Sequence, residues 1–374
     1  MTKLKLLTLV GTRPELIKLS ATIAEADRYF EHILVHSGQN FDDSLNGVFF
    51  RDLKIRPPNY VLDIAGGNAA GAIARVIERL DPILEREKPD ACLVLGDTNS
   101  CFGMLAAKKR QIPIFHMEAG NRCFDQRVPE EINRRLIDHL ADINMTYSDQ
   151  AQTNLLAEGL PSDRVLKLGS PMGEVLHRHR ESILAASVLE RLHLTPKRFF
   201  VASIHRAENV DSQANLSALV SSLNAIVATY NYPIIVSLHP RTRSRLVEIG
   251  PQAQVHPFIQ FHEPFGFFDY IKLQTEAACV LSDSGTLTEE AAILGFPAIM
   301  LRESHERPEG MDNAVCLRSD LETSRLMPTL EMALAQADQR PEVPLAYQSH
   351  DVASRIVRTI MSYTDYVNRS VWSK

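Results

Sequence analysis

Residues 4–18 read LKLLTLVGTRPELIK. The first seven form a short, mostly apolar run, which is typical of a buried β-strand. Gly11 then permits a close backbone approach, and Pro14 suits the first turn of a helix. We therefore expect a strand, a tight turn and a helix in succession. In an open parallel sheet such a turn lies at the carboxyl edge, where ligands bind.

The same alternation of short strand-like runs and amphipathic segments continues along the chain. On either side of a pause at 170–198, further strands are predicted at 32–36, 91–95, 113–117, 165–168, 199–204, 234–238, 278–281 and 297–301. This alternation indicates βαβ units and parallel sheets covered on both faces. The predicted fold class is α/β, with two doubly wound, Rossmann-like domains facing a cleft.

The pause and the last segment of the chain set the predicted domain boundaries. A proline-bearing tract at 340–345 is typical of a linker, and the amphipathic segment 352–367 predicts a terminal helix that returns to the first domain. We therefore expect an N-terminal domain made of residues 1–169 plus 352–374. The C-terminal domain is expected at 170–351.

Composition excludes several classes of protein. A chain of 374 residues that is 45% hydrophobic suits two domains of ordinary size. The net charge of -6 and pI near 6.1 give no electrostatic footprint for nucleic acid. The five cysteines are far apart and lack CxxC spacing, which argues against disulfides and zinc. With no signal region and no long apolar run, we expect a cytoplasmic protein without membrane partners.

The turn after the first predicted strand introduces two cations, Arg13 and Lys18. Guanidinium and ammonium groups beside a helix N-terminus form an anion site, and a capped helix with solvated charges is the alternative. The turn lacks GxGxxG, so a dinucleotide cofactor is not indicated. Gln39, after the second predicted strand, is either a substrate contact or part of a polar turn.

Acidic residues follow two further predicted strands. Asp97 comes soon after residues 91–95, and Glu118 comes directly after 113–117. Partial burial at the edge of a sheet can raise a carboxyl pKa toward the range useful for proton transfer, although an isolated acid there usually caps a helix. A third acid, Glu130, begins a predicted helix, and its neighbour Glu131 fits a capping role.

The second half of the chain repeats the pattern with cations at the strand ends. His205 and Arg206 follow a predicted strand and combine a titratable imidazole with a phosphate-binding guanidinium. A structural histidine is the alternative. His239 repeats this arrangement after the next strand, and Arg307 lies in a loop too charged to be only a connector.

A strand-to-helix turn in the same half is suited to a diphosphate. Ser284 and Gly285 lie in this turn, where backbone N–H groups at a helix N-terminus can bind phosphate oxygens. Glu290 follows one turn into the helix. Its carboxylate would accept hydrogen bonds from ribose hydroxyls, or it would stabilise the helix dipole.

Seven short stretches follow one another along nearly the whole chain: GTRPE, GDT, HMEAG, PEEINR, HRAEN, DSG followed by EE, and ERPE. Their order and spacing resemble the non-hydrolysing UDP-N-acetylglucosamine 2-epimerases. The resemblance implies a GT-B-like fold, a homodimer, and a UDP-sugar substrate handled without metal or cofactor. It implies UDP contacts from Arg13, Lys18, Ser284, Gly285 and Glu290. It also implies that the reacting sugar is surrounded by Asp97, Glu118, Glu130 and His205.

The chemistry of a 2-acetamido sugar explains why several acids would be needed. The hydrogen on C-2 is not adjacent to a carbonyl, so simple deprotonation would give an unstabilised carbanion. If the bond from C-1 to phosphate breaks as C-2 loses its proton, a glycal forms and cations stabilise the departing UDP. A proton then returns to the opposite face and UDP re-adds. Two faces need two acid–base groups.

Two departures from the common pattern bear on the sugar. The common UDP-N-acetylglucosamine epimerases continue LRTG after EAG, whereas residues 121–127 here read NRCFDQR. Residues 38–42 read GQNFD, where the common enzymes usually carry a histidine and a methionine after the glutamine. Both resemble the branch that makes UDP-N-acetyl-L-fucosamine from UDP-2-acetamido-2,6-dideoxy-L-talose for surface polysaccharides. We expect that reaction. Epimerisation of UDP-N-acetylglucosamine to UDP-N-acetylmannosamine and a GT-B glycosyltransferase are the alternatives.

Overall fold

The structure is a computed structural model that describes residues 3–38, 43–238, 242, 245 and 255–374. Two residues of the predicted site, Gln39 and His239, lie outside the described residues. The chain divides into two compact units, Met1–Arg178 with Leu345–Lys374, and His179–Pro344. In the described part of the chain, every helix is too short or too polar to cross a membrane.

The first boundary between the units lies at 178/179, nine residues after the one expected at 169/170. The second lies at 344/345, seven residues before the one expected at 351/352. Two hydrogen bonds account for the difference. Ser170 N donates to Ala346 O at 2.7 Å, and Ala353 N donates to the buried Glu174 Oε2 at 2.9 Å. These bonds attach the segments on either side of the second unit to the first.

The first unit contains a seven-stranded parallel sheet in the order β3-β2-β1-β4-β5-β6-β7. Its strands are β1 Lys5–Val10, β2 Glu31–His36, β3 Tyr60–Val61, β4 Ala91–Leu95, β5 Ile114–Ala119, β6 Ile143–Thr146 and β7 Val165–Lys167. Its helices up to the boundary are α1 Arg13–Tyr29, α2 Asp43–Asp52, α3 Ala69–Glu87, α4 Met104–Lys109, α5 Pro129–Leu140, α6 Asp149–Ala157 and α7 Met172–Arg178.

The second unit contains a six-stranded parallel sheet in the order β10-β9-β8-β11-β12-β13. Its strands are β8 Phe200–Ser203, β9 Ile234–Ser237, β10 Ile259–His262, β11 Cys279–Ser282, β12 Ala298–Met300 and β13 Leu317–Arg318. Its helices are α8 Arg180–Leu184, α9 Val188–Arg191, α10 Ala207–Val210, α11 Gln213–Tyr230, α12 Phe267–Glu276, α13 Leu287–Leu294, α14 Pro308–Asp312 and α15 Thr323–Ala335. The last helix, α16 Val352–Trp372, belongs to the first unit.

Burial explains why the central strands are almost continuously apolar. Five of the six residues of β1 are buried, as are all five of β4, because helices cover both faces of a parallel sheet. Each unit has its own core, formed by residues such as Leu9 and Val94 in the first and Phe200 and Leu281 in the second. The predicted α/β class with two doubly wound sheets is confirmed.

The strand orders locate the binding edge of each sheet. In the first unit the order reverses between β1 and β4, and in the second between β8 and β11. Ligands of doubly wound sheets bind beyond the carboxyl ends of the strands at such a reversal. The residues that follow these four strands, together with those after β5, are therefore the place to examine in each unit.

Candidate functional site

The turn between β1 and α1 is tied down by a buried carboxylate. Gly11 N donates to Glu15 Oε2 at 2.5 Å, and Thr98 Oγ1 donates to Glu15 Oε1 at 2.7 Å. Burial raises the pKa of Glu15 to about 7, although these hydrogen bonds oppose the rise. Sequence reasoning treated Glu15 only as part of a motif. The contact with Thr98, 83 residues away, could not be read from spacing.

The two cations of α1 have different surroundings. The Arg13 guanidinium carbon lies 5.7 Å from the centre of the Phe49 ring, and burial lowers the pKa of Arg13. Lys18 is almost fully buried, and its Nζ lies 2.5 Å from Glu118 Oε2 and 5.5 Å from the centre of the Tyr147 ring. The structure therefore pairs Lys18 with Glu118, one of the predicted acids, although the two residues are 100 positions apart in sequence.

Glu118 has an unusual backbone conformation. Its φ is +64°, in the left-handed region that residues other than glycine rarely adopt, and the pairing of β5 with β6 shifts register between Met117 and Ala119. Tyr147 Oη donates to Glu118 Oε2 at 3.2 Å. Backbone strain of this kind costs on the order of 1–3 kcal/mol and persists where surrounding contacts over-determine it, often at functional sites.

Asp97 follows the neighbouring strand β4 and has a cation of its own. Arg134 of α5 donates from Nε and Nη2 to Asp97 Oδ2, at 3.0 and 2.7 Å. The Asp97 side chain is 24% exposed and that of Glu118 is 12% exposed, so both remain reachable. Because β4 pairs with β5, this unit places two carboxylates at adjacent strand ends, and Lys18 and Arg134 lie beside them.

The neighbouring acids Glu130 and Glu131 differ in burial. Glu130 is partly exposed in the first turn of α5. Glu131 is fully buried and accepts from Cys123 N at 3.0 Å and Phe124 N at 3.3 Å. Burial acts to raise its pKa, but the Cys123 N–H and the charge of Arg134 outweigh it, so the pKa of Glu131 is lowered. Glu131 therefore holds the loop before α5 in place and does not only cap that helix.

The second unit is organised around an acid that sequence analysis did not assign to the site. Asp283 follows β11 and is fully buried, and it accepts from His205 N at 3.0 Å, Arg206 N at 2.9 Å and Asn209 Nδ2 at 3.0 Å. His205 Nδ1 also lies 3.1 Å from Asp283 Oδ1. Burial acts to raise the pKa of Asp283, but the His205 charge and these donors outweigh it and the pKa is lowered. Its position directly after a strand was the available signal.

The turn after Asp283 is the predicted diphosphate cradle. Ser284 N donates to Ser282 Oγ at 3.1 Å, and a Cβ added to Gly285 would lie 2.6 Å from Glu306 Oε1. Arg307 donates from Nε to Gly285 O at 2.7 Å. A side chain at Gly285 would therefore require the Glu306 carboxylate to move.

The charged residues around this turn are buried in pairs. Arg307 is almost fully buried, and its Nη1 lies 3.2 Å from Glu289 Oε2. Glu290 is buried and accepts from Gln274 Nε2 at 2.8 Å. The structure thus places Arg307 behind the turn, where it supports Gly285. Among the described residues, no group of three or more His, Cys, Asp or Glu side chains could hold a metal ion.

Comparison with known proteins identifies the family. The family model for UDP-N-acetylglucosamine 2-epimerase matches residues 23–361. The UDP-N-acetylglucosamine 2-epimerase structure from Rickettsia bellii is 48% identical, with a TM-score of 0.93 and all of both chains covered. The Methanocaldococcus jannaschii UDP-GlcNAc 2-epimerase in complex with UDP-GlcNAc and UDP is 32% identical, with a TM-score of 0.90, covering 96% of this chain and 100% of that one.

A relative that is named for a different substrate also matches. The UDP-2,3-diacetamido-2,3-dideoxy-D-glucuronate 2-epimerase of Pseudomonas aeruginosa is 36% identical over 310 residues, 81% of this chain and 84% of that protein. A glycosyltransferase structure from Rickettsia africae shares the fold alone, at 11% identity and a TM-score of 0.58 over 99% of this chain and 100% of that one. The chain therefore belongs to the UDP-N-acetylglucosamine 2-epimerase family, and it is a UDP-sugar 2-epimerase.

Proposed function

We propose that this enzyme inverts C-2 of UDP-N-acetylglucosamine to give UDP-N-acetylmannosamine, by eliminating UDP and adding it back. The observation that carries this proposal is the pair of carboxylates, Glu118 and Asp97, at adjacent strand ends beside Lys18 and Arg134. Similarity to two enzymes that are named for this substrate, at 48% and 32% identity, supports this choice of sugar.

The proposed reaction uses the acids on opposite faces of the sugar. One carboxylate takes the C-2 proton as the bond from C-1 to the diphosphate oxygen breaks, giving a glycal and UDP. A second acid then returns a proton to C-2 from the other face, and UDP re-forms the bond to C-1. Glu118, Asp97 and Glu130 are the proposed acid–base groups, with His205 beside the sugar. A neighbouring cation would hold each carboxylate in place between the two steps.

For the UDP portion, we propose the turn of Ser284 and Gly285 as the diphosphate cradle. Arg206, which directly follows His205, and Arg13 are proposed as cations that stabilise the leaving diphosphate. The further proposed contacts are Lys18, Glu290, Arg307, Gln39 and His239. Among these, Lys18 and Arg307 are buried in ion pairs, and we propose that they act chiefly by holding Glu118 and Gly285 in place.

A second candidate substrate is the 6-deoxy sugar UDP-2-acetamido-2,6-dideoxy-L-talose. The observation that favours it is Phe124, whose side chain lies in the loop after β5 and is 71% exposed, which leaves an apolar surface for a methyl group. The adjacent thiol of Cys123 lies 3.3 Å from Glu131 Oε2 and is therefore engaged within the loop. The Pseudomonas aeruginosa relative supports the idea that the sugar varies within the family. The homodimer and the cytoplasmic location stay predictions.

The test is incubation with UDP-N-acetylglucosamine and no acceptor, followed by NMR of the products. We expect a second UDP-sugar to accumulate until an equilibrium mixture forms. Release of free sugar and UDP would indicate a hydrolase, and turnover only on addition of an acceptor would indicate a glycosyltransferase. Direct competition between the two substrates then ranks them by kcat/KM, and a preference for the 6-deoxy sugar would replace the first candidate by the second.

A further inference from the structure

The hydroxyl of Thr98 makes a contact that its position does not explain. Thr98 is the N-cap residue of the short 3-10 helix Asn99–Gly103, but its side chain forms no capping hydrogen bond there. Instead, Thr98 Oγ1 donates to Glu15 Oε1 at 2.7 Å. Threonine at an N-cap position usually caps its own helix, but the hydroxyl of Thr98 bonds instead to a carboxylate that is distant in sequence.

Helix capping explains only half of what Glu15 does. As the third residue of α1, Glu15 reaches back to the backbone N–H of the N-cap residue Thr12, and its Oε2 also accepts from Gly11 N, just before the cap. Capping does not require the second oxygen to meet Thr98, nor does it require burial. Glu15 is only 3% exposed, although a buried carboxylate is costly and a glutamine could cap without charge.

The turns around the contact between Thr98 and Glu15 are closely packed. Ser100 Oγ donates to Ser37 Oγ at 2.8 Å, and a Cβ added to Gly11 would lie within 2.4 Å of both oxygens. The ends of β1, β2 and β4 are therefore fitted together at this point. Within the cluster, the Glu15 carboxylate is the group that bonds both to the turn after β1 and to the turn after β4.

We propose that Glu15 and Thr98 form a positioning pair that holds Asp97 in register with Arg13. Thr98 directly follows Asp97, and Glu15 lies two residues after Arg13 on the first turn of α1. The pair thus joins the turn after β4, which carries Asp97, to the turn after β1, which leads to Arg13, the cation proposed for the diphosphate. Neither residue of the pair acts on the substrate itself, and the inference rests on the proposed roles of Asp97 and Arg13.

Valine and serine at position 98 separate the hydroxyl from the shape of the side chain. Thr98→Val keeps the branched shape and loses the donor, and Thr98→Ser keeps the donor. We expect Thr98→Val to lower kcat about tenfold with KM changed less than about twofold, since small misplacement of a reacting group slows chemistry more than binding. Thr98→Ser should stay within about twofold of wild type.

A matched control is Thr364→Val on α16, which also removes a buried hydroxyl, one that donates to Ile360 O at 2.7 Å. It should leave kcat unchanged. A second pair of variants tests the carboxylate. Glu15→Gln can still accept from Gly11 and donate to Thr98, so its kcat should stay within about fivefold. Glu15→Met loses the bonds from both Gly11 and Thr98, so its kcat should fall at least as far as that of Thr98→Val.

The result that overturns the inference is a Thr98→Val enzyme with wild-type kcat, or equal losses in Thr98→Val and Thr98→Ser. Failure of Thr98→Val to fold also counts against it, because the bond would then be structural. Asp97→Asn in the same assay separates this inference from the proposed function. If Asp97→Asn is fully active, the proposed role of Asp97 is wrong. If Asp97→Asn is impaired while Thr98→Val is active, only the proposed positioning pair is wrong.

Discussion

The carboxyl edges of the two sheets use acids in opposite ways. In the first unit, Glu118 lies within β5, one residue before its end, and Asp97 lies just beyond the end of β4. Both carboxylates stay partly exposed, and each bonds to a cation supplied by a helix. In the second unit, Asp283 follows a strand in the same manner but is fully buried, with its oxygens taken up by backbone amides and an asparagine.

This contrast shows how the surroundings of an acid decide its use. A carboxylate that accepts several N–H bonds is fixed in its ionised form, as the lowered pKa of Asp283 indicates, and it serves to shape a turn. A carboxylate with an exposed edge and one cation beside it can meet a substrate and exchange a proton. The proposed division therefore places proton transfer chiefly in the first unit and most of the UDP contacts in the second.

The largest effect is expected from removing proton chemistry in the first unit. Glu118→Gln keeps the shape of the side chain but loses its ability to exchange a proton, so kcat should fall by a factor of about 100 or more while UDP binding changes little. Glu78→Gln, at an exposed position on α3, is the matched control and should behave as wild type. Steady-state kinetics and UDP titration check both, and a near-wild-type rate for Glu118→Gln would remove it from the mechanism.

The next effect is a pH dependence of stability caused by Glu15. Its pKa is raised to about 7 in the folded chain from an ordinary 4.5, so between these values the native state binds more protons than the unfolded state. Stability therefore falls as pH rises from 5 to 7, by about 2 kcal/mol from this group. Glu15→Gln should abolish that fall, as denaturant melts at both pH values would show. An unchanged pH dependence in the variant would mean that Glu15 titrates normally.

A smaller effect is expected from filling the turn of the second unit. In Gly285→Ala the new methyl would press on Glu306, which is held by an ion pair of 2.9 Å with Arg302. UDP binding should weaken about tenfold with a lesser change in kcat once substrate is saturating. Ser324→Ala, at an exposed position of α15, is the control. A loss of kcat larger than the loss of affinity would contradict the division between the two edges.

Local sequence patterns were enough to predict which turns carry the polar residues. Strand β1, its turn and α1 were predicted from the run Leu4 to Val10 and from the glycine and proline that follow it. Asp97 and Glu118 were predicted at the edge of the sheet because each acid comes at or soon after the end of a predicted strand. These inferences succeed because strand, turn and helix signals act over a few residues.

The partners of these residues could not be predicted, because they depend on which strands lie side by side. Lys18 meets Glu118 across 100 positions and Thr98 meets Glu15 across 83. Arg134 belongs to a motif recognised in the sequence, yet its bond to Asp97 follows from the packing of α5 against the end of β4. Asp283 comes directly after a strand, which marked it as a candidate, but its role in shaping the turn depends on donors from His205, Arg206 and Asn209, more than 70 residues away.

The most direct test of proton transfer at C-2 is turnover of UDP-N-acetylglucosamine in heavy water, with the product examined by NMR. Because the proton returned to C-2 comes from a side chain that exchanges with solvent, the account predicts that the product carries deuterium at C-2 from the first turnovers. A second UDP-sugar formed with only hydrogen at C-2 would contradict the proposed elimination and re-addition, and with it the role assigned to the carboxylates of the first unit.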